Sequence, residues 1–152
     1  MLAELMVNKV LIISGCAWAL TQLLKVLLVL VNEKRLNLRY FVASGGMPSA
    51  HSAVVSALAT SVALTQGLGS ATFAIATILA LVVMYDAAGV RQSVGQQSVV
   101  LNRIVQELKL RRPVAELERD LREFIGHTPF QVIVGAALGI LMAWLWLTIG
   151  GG

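Results

Sequence analysis

The sequence predicts an all-α integral membrane protein, a helical bundle with four transmembrane helices and an interfacial amphipathic helix. Three observations predict it. The 152-residue chain is 57% hydrophobic and 13% charged, with a mean hydropathy of +0.79, whereas soluble domains carry about 25% charged residues. Four apolar segments can be read along it. Ten of its twelve lysines and arginines fall in two of the three connections between those segments. The length suits a single domain, taken as residues 1–152. One cysteine, Cys16, excludes an internal disulfide. The net charge of +4 matters less than where it lies, and no nucleic-acid partner is expected.

The first segment runs from about Val10 to Val31, the second from Ala50 to Leu64, the third from Ala71 to Tyr85 and the fourth from Phe130 to Ile149. A spanning helix needs about 20 mostly apolar residues. The first and fourth meet this outright; the second and third do so only if flanking polar residues extend them. Ile13–Cys16 reads "ISGC", like a lipoprotein cleavage box. The apolar run before it is very short and the apolar character continues beyond it, so no cleavage is expected there.

Lys34, Arg35 and Arg39 lie between segments one and two; Arg91, Arg103, Lys109, Arg111, Arg112, Arg119 and Arg122 lie between three and four. The remaining connection, Thr65–Ala71, is uncharged. Basic connections stay on the cytoplasmic side, which places both termini opposite. Within the long basic connection, Pro113 can open a helix. Val114, Leu117, Leu121, Phe124 and Ile125 then form one apolar face against a charged one. This amphipathic helix either lies flat at the membrane surface or packs on the protein's own helices.

Polar residues in or beside the apolar segments are few. They are Gln22 and Lys25, then Ser49, His51 and Ser52, then Asp86 and Arg91, then His127, Thr128 and Gln131. Ionisable groups at membrane depth cost a few kcal/mol each and usually mark function or face one another. With the orientation above, all four clusters arrive at the cytoplasmic face, and both histidines of the chain are among them. Gln22 and Lys25, three apart, share a helix face. Ser49 can cap the second helix, with His51 in its first turn. Thr128, Pro129 and Gln131 match a capping box with proline at the first helical position. Two helix N-termini beside Lys25 and Arg91 suit a dianion such as phosphate, and two histidines can supply a nucleophile and a proton donor. Other readings stand beside these. Lys25 can snorkel to the interface, Asp86 and Arg91 can form a structural ion pair, and Gln131 can serve only as a cap. Two histidines and Asp86 make a thin ligand set without a compact metal motif, so neither metal nor cofactor is expected.

"PSAHS" at Pro48–Ser52 resembles the P-S-G-H motif of the type-2 phosphatidic acid phosphatase superfamily, which includes the vanadium haloperoxidases. Together, "MPSAHS", "YDAAGVRQSVGQQSVVLN" and "GHTPFQVIVGAALG" resemble its divergent bacterial and plastid branch, over about Gln22 to Gly139. The resemblance implies a metal-independent phosphatase acting on a lipid phosphate through a phosphohistidine. It gives His51 the acid/base role and His127 the nucleophile, with Ser49, Lys25 and Arg91 on the phosphoryl oxygens. Asp86 would orient a histidine, and Gln22, Ser52, Thr128 and Gln131 would support the site. The membrane would be a bacterial inner or plastid-type one.

This chain departs from the main family in several places. The main family has an arginine six residues before the nucleophilic histidine and an aspartate four after it. Here Arg91 lies 36 residues before His127, and position 131 is Gln. The K-x6-R-P lysine motif is not intact around Lys25. The two histidine roles can therefore be exchanged, and a non-catalytic protein that binds anionic lipids or scaffolds the membrane is the alternative function. The main family has six helices against four here, so a homodimer could complete the site. Gly135, Gly139 and Ala143, and Ser52, Ser56, Thr60 and Ala63, form small-residue stripes that serve such a contact or packing inside one subunit.

Overall fold

The computed structural model describes residues 7–34, 46–89, 97, 100–101 and 128–150. Four long helices make up its body: α1 (Lys9–Glu33), α2 (Ala50–Gln66), α3 (Ala71–Ala88) and α4 (Pro129–Ile149). Each expected apolar segment is a helix, with ends shifted by at most a few residues. α1 continues unbroken through Cys16. The amphipathic stretch after Pro113 lies outside the described residues.

Each of these four helices opens on a side-chain cap. Asn8 accepts from Leu11 N–H, Ser49 from Ser52, Ser70 from Phe73 and Thr128 from Gln131. These caps hold the amide groups that a helix start leaves without an internal partner. The turn Gly67–Ser70 joins α2 to α3. Its first residue sits at φ +85° and ψ 156°, a conformation essentially reserved for glycine, and a Cβ there would meet nothing within 4 Å. Gly67→Ala should therefore cost about 1–3 kcal/mol through backbone strain alone, read as a lower melting temperature in detergent. Gly69→Ala, at an ordinary φ with equal space, should cost nothing comparable.

The helices pack around α2, which touches the other three and is covered most by α4. α1 packs on α2 and α4; α1 and α3 do not touch. The reason is the side-chain size along α2. Ser49, Ala53 and Ala57, one turn apart, meet Gly135, Gly139 and Ala143 of α4. A Cβ on Gly135 would overlap the Ser49 carbonyl oxygen, and one on Gly139 the Ala53 carbonyl. The backbones are thus in direct contact, and because 49 pairs with 135 and 53 with 139, α2 and α4 run parallel. The α4 stripe is consumed inside the subunit. Small residues do this in membranes because dispersion contact replaces a hydrophobic drive that lipid cannot supply. On another side of α2, Ser56 Oγ lies 3.9 Å from Met84 Sδ of α3.

Three helices, α1, α3 and α4, are long and apolar enough to cross a membrane. The expected fourth span, α2, is a helix of 17 residues, about 25 Å against a hydrocarbon core of about 30 Å. It does not reach the length and apolarity of its neighbours. The physical reason is its place: a helix packed against three others keeps serine on its buried faces instead of a lipid-facing coat. Ser52, Ser56 and Ser61 are all buried.

Candidate active site at one end of the bundle

Ile13 and Ala17 of α1, Ala57 of α2 and Ala143 of α4 form one buried cluster, which sets the level of the helices against each other. α1 is buried at Thr21, Gln22, Lys25 and Val26 and exposed at residues 7–9, while α2 is buried at Ser49, Ala50, Ser52 and Ala53 and exposed at residues 64–66. The covered end of α1 therefore lies against the start of α2, and the two run in opposite directions. Lys25 lies eight residues past Ala17, and Ser49 eight residues before Ala57. At about 1.5 Å per residue both sit roughly 12 Å from the cluster, toward the same end. The register of Ser56 with Met84 puts Gly89, the C-cap of α3, level with His51. Asp86 lies roughly one helical turn deeper. Thr128 and Gln131 open α4 at this end, where the Ser49 N–H donates to the Gln131 carbonyl at 3.2 Å. That bond, missed from sequence, ties the two helix starts together.

On α1, Gln22 and Lys25 are buried, with 4% and 3% of their surfaces exposed. Lys25 therefore does not snorkel. Among the described residues no carboxylate pairs with it and no hydrogen bond reaches it. Gln22 Oε1 is fully enclosed and accepts no hydrogen bond. Their neighbours on α1 differ: Ser14 Oγ donates to the Val10 carbonyl at 2.8 Å and Thr21 Oγ1 to the Ala17 carbonyl at 2.6 Å. Short hydroxyls can satisfy themselves on the preceding turn, whereas an ammonium and an amide this deep need an outside partner.

On α2, Ser49 is fully buried. Its Oγ receives the Ser52 N–H at 3.4 Å and the Ser52 hydroxyl at 3.1 Å. His51, half-buried, sits in the first turn, where the helix directs its amide groups outward. The Met47–Pro48 peptide before it is cis. On α4, Gln131 Oε1 accepts from Thr128 N–H at 3.0 Å while its own N–H goes to Thr128 Oγ1 at 3.4 Å. Gln131 is thus a cap, as the spacing predicts. On α3, Asp86 is half-buried in the last turn. With α2 between α1 and α3, it does not stand beside Lys25. Arg91 and His127 lie outside the described residues, as does the Asp86–Arg91 pair. Among the described residues no three His, Cys, Asp or Glu side chains gather as metal ligands.

The arrangement presents one buried cation, one buried acceptor, a serine-capped helix N-terminus and an imidazole at one end of the bundle. Chemically it can hold an oxyanion against the helix start and move a proton at His51.

A family model described as the Divergent PAP2 family matches residues 6–142, a span that takes in every residue of this site. The chain is 40% identical to "Uncharacterized membrane protein YuiD" of Bacillus subtilis (strain 168) over 148 residues, covering 91% of this chain and 94% of that protein. No solved structure matches it.

Proposed function

The chain belongs to the Divergent PAP2 family and is an integral membrane protein, and from that premise we propose that it is a metal-independent lipid phosphate phosphatase. The reaction is hydrolysis of a phosphomonoester, or of an isoprenyl diphosphate, through a phosphohistidine. The observation that carries this reading is Lys25, a cation buried at membrane depth without a protein partner among the described residues, level with the Ser49-capped start of α2. A buried charge is retained only where something compensates it, and a phosphate dianion against a helix N-terminus does so.

In the proposed sequence an imidazole nitrogen of His127 attacks phosphorus. The phosphorus–oxygen bond to the lipid, or in a diphosphate the bridging bond to the lipid monophosphate, breaks, and His51 gives its proton to the leaving oxygen. Water then attacks the phosphohistidine, His51 takes the proton from that water, and inorganic phosphate leaves. Lys25, Arg91 and the amides behind Ser49 hold the phosphoryl oxygens, and Asp86 orients a histidine. The site lies on the cytoplasmic side, where a headgroup reaches it laterally.

Purified protein in detergent should release phosphate from a panel of phosphatidylglycerol phosphate, phosphatidic acid and isoprenyl diphosphate with chelator present. His51→Ala and His127→Ala should each lower turnover by about 10²–10⁴, and acid-labile, base-stable phosphate should be trapped on His127. Turnover that persists in both variants overturns the mechanism. The second reading, a protein that binds anionic lipid without turnover, is favoured by one observation: position 131 holds a capping glutamine instead of a carboxylate. It prevails if the wild type binds these lipids and releases no phosphate. For sidedness, Arg111→Cys and Leu68→Cys on a Cys16→Ser background should label from opposite sides; labelling from one side refutes the cytoplasmic placement.

A further inference from the structure

Lys25 and Gln22 present two different demands side by side. A lysine ammonium only donates, and an amide oxygen only accepts. Three residues apart on α1, the two side chains share a face, and both are more than nine-tenths buried. Gln22 Oε1 has no donor, although the Lys25 ammonium is its neighbour by sequence. Both lie at the level of Ser49 and the start of α2. A ligand that fills this place has to bring an oxyanion for Lys25 and an O–H or N–H for Gln22.

A phosphate dianion on a plain ester brings acceptors alone. It satisfies Lys25 and leaves Oε1 buried with nothing to accept. A headgroup with a free hydroxyl on the carbon next to the phosphorylated one brings both, at the short spacing of neighbouring substituents. We infer that Gln22 is a specificity-determining residue, selecting lipid phosphates whose headgroup carries a hydroxyl beside the phosphate. The ligand class is a polyol phosphate, of which phosphatidylglycerol phosphate is a usable probe. This rests on the proposal that the site takes a lipid phosphate. A buried polar group left unpaired is what rejects the wrong ligand, so discrimination of about tenfold or more is expected.

The test compares phosphatidylglycerol phosphate with its analogue lacking the headgroup hydroxyl, on the full chain in detergent. Two readouts are taken: kcat/KM for phosphate release, and the rise in melting temperature each lipid produces. Wild type should favour the hydroxylated lipid at least about tenfold. Gln22→Leu should bring that ratio to about one, and Gln22→Met repeats the measurement if the leucine variant does not fold. Equal handling of the two lipids by wild type, or an unchanged ratio in the variants, overturns the inference. If wild type releases phosphate from neither lipid nor from phosphatidic acid or isoprenyl diphosphate, the phosphatase reading fails, and the melting shifts still decide the headgroup question. Release from one of those two alone overturns the headgroup inference and leaves the phosphatase reading standing. A larger shift with the hydroxylated lipid, lost in Gln22→Leu, supports it; equal shifts overturn it.

Discussion

Lys25→Met should make the protein more stable and much less active. A cation enclosed in a membrane helix costs about 2.5–3.5 kcal/mol at the helix centre on the gentler scales, and no described residue offsets that cost here. Methionine keeps the unbranched shape and removes the charge, so unfolding in detergent should require about 1–3 kcal/mol more. Phosphate release should fall by about 10²–10³, the loss seen when one preorganised electrostatic group is removed from a reacting centre. Both are measurable on one preparation, by thermal unfolding and by turnover. The opposed signs matter. A lysine that holds the bundle together would lose stability and activity together in the methionine variant, and that result would remove Lys25 from the phosphate site.

Gly139→Ala should strongly destabilise the bundle, although alanine is the better helix former. In a helix interior alanine is favoured over glycine by about 0.5–1 kcal/mol. At Gly139 the added Cβ would press on the Ala53 carbonyl oxygen and lie 2.9 Å from its carbon and 3.0 Å from its Cα. All three are backbone atoms that cannot rotate away. Overpacking of this kind costs about 1–3 kcal/mol, and relief requires α4 to move off α2. That movement also lengthens the bond from Ser49 N–H to the Gln131 carbonyl, so turnover should drop with stability. Gly15→Ala is the control: on α1 its Cβ meets nothing within 4 Å, and it should stabilise by about 0.5–1 kcal/mol. If both variants shift melting in the same direction, the direct backbone contact between α2 and α4 is wrong.

The helices were legible because each carries a local signal. Apolar length marks α1 and α4. Ser49 and the Thr128–Gln131 box mark the starts of α2 and α4 through bonds that span three residues. The polar clusters were legible because charge and amide groups stand out against an apolar background. The fate of each was not. Whether Lys25 snorkels or is enclosed depends on what covers the far half of α1, and local sequence carries no record of that.

The sequence by itself determined an all-α membrane protein, the helix starts, and which side chains are out of place in lipid. Those properties arise within a turn or two of chain, from hydropathy and capping. Only the tertiary structure decided that α2 is the central helix, that the Gly135–Gly139–Ala143 stripe is spent on α2 within one subunit, and that Lys25 and Gln22 are enclosed level with Ser49. These are matters of register between helices far apart in sequence. Register is set by where glycine lets two backbones touch, and a glycine reads the same in sequence whether another helix lies against it, as at Gly139, or nothing does, as at Gly15.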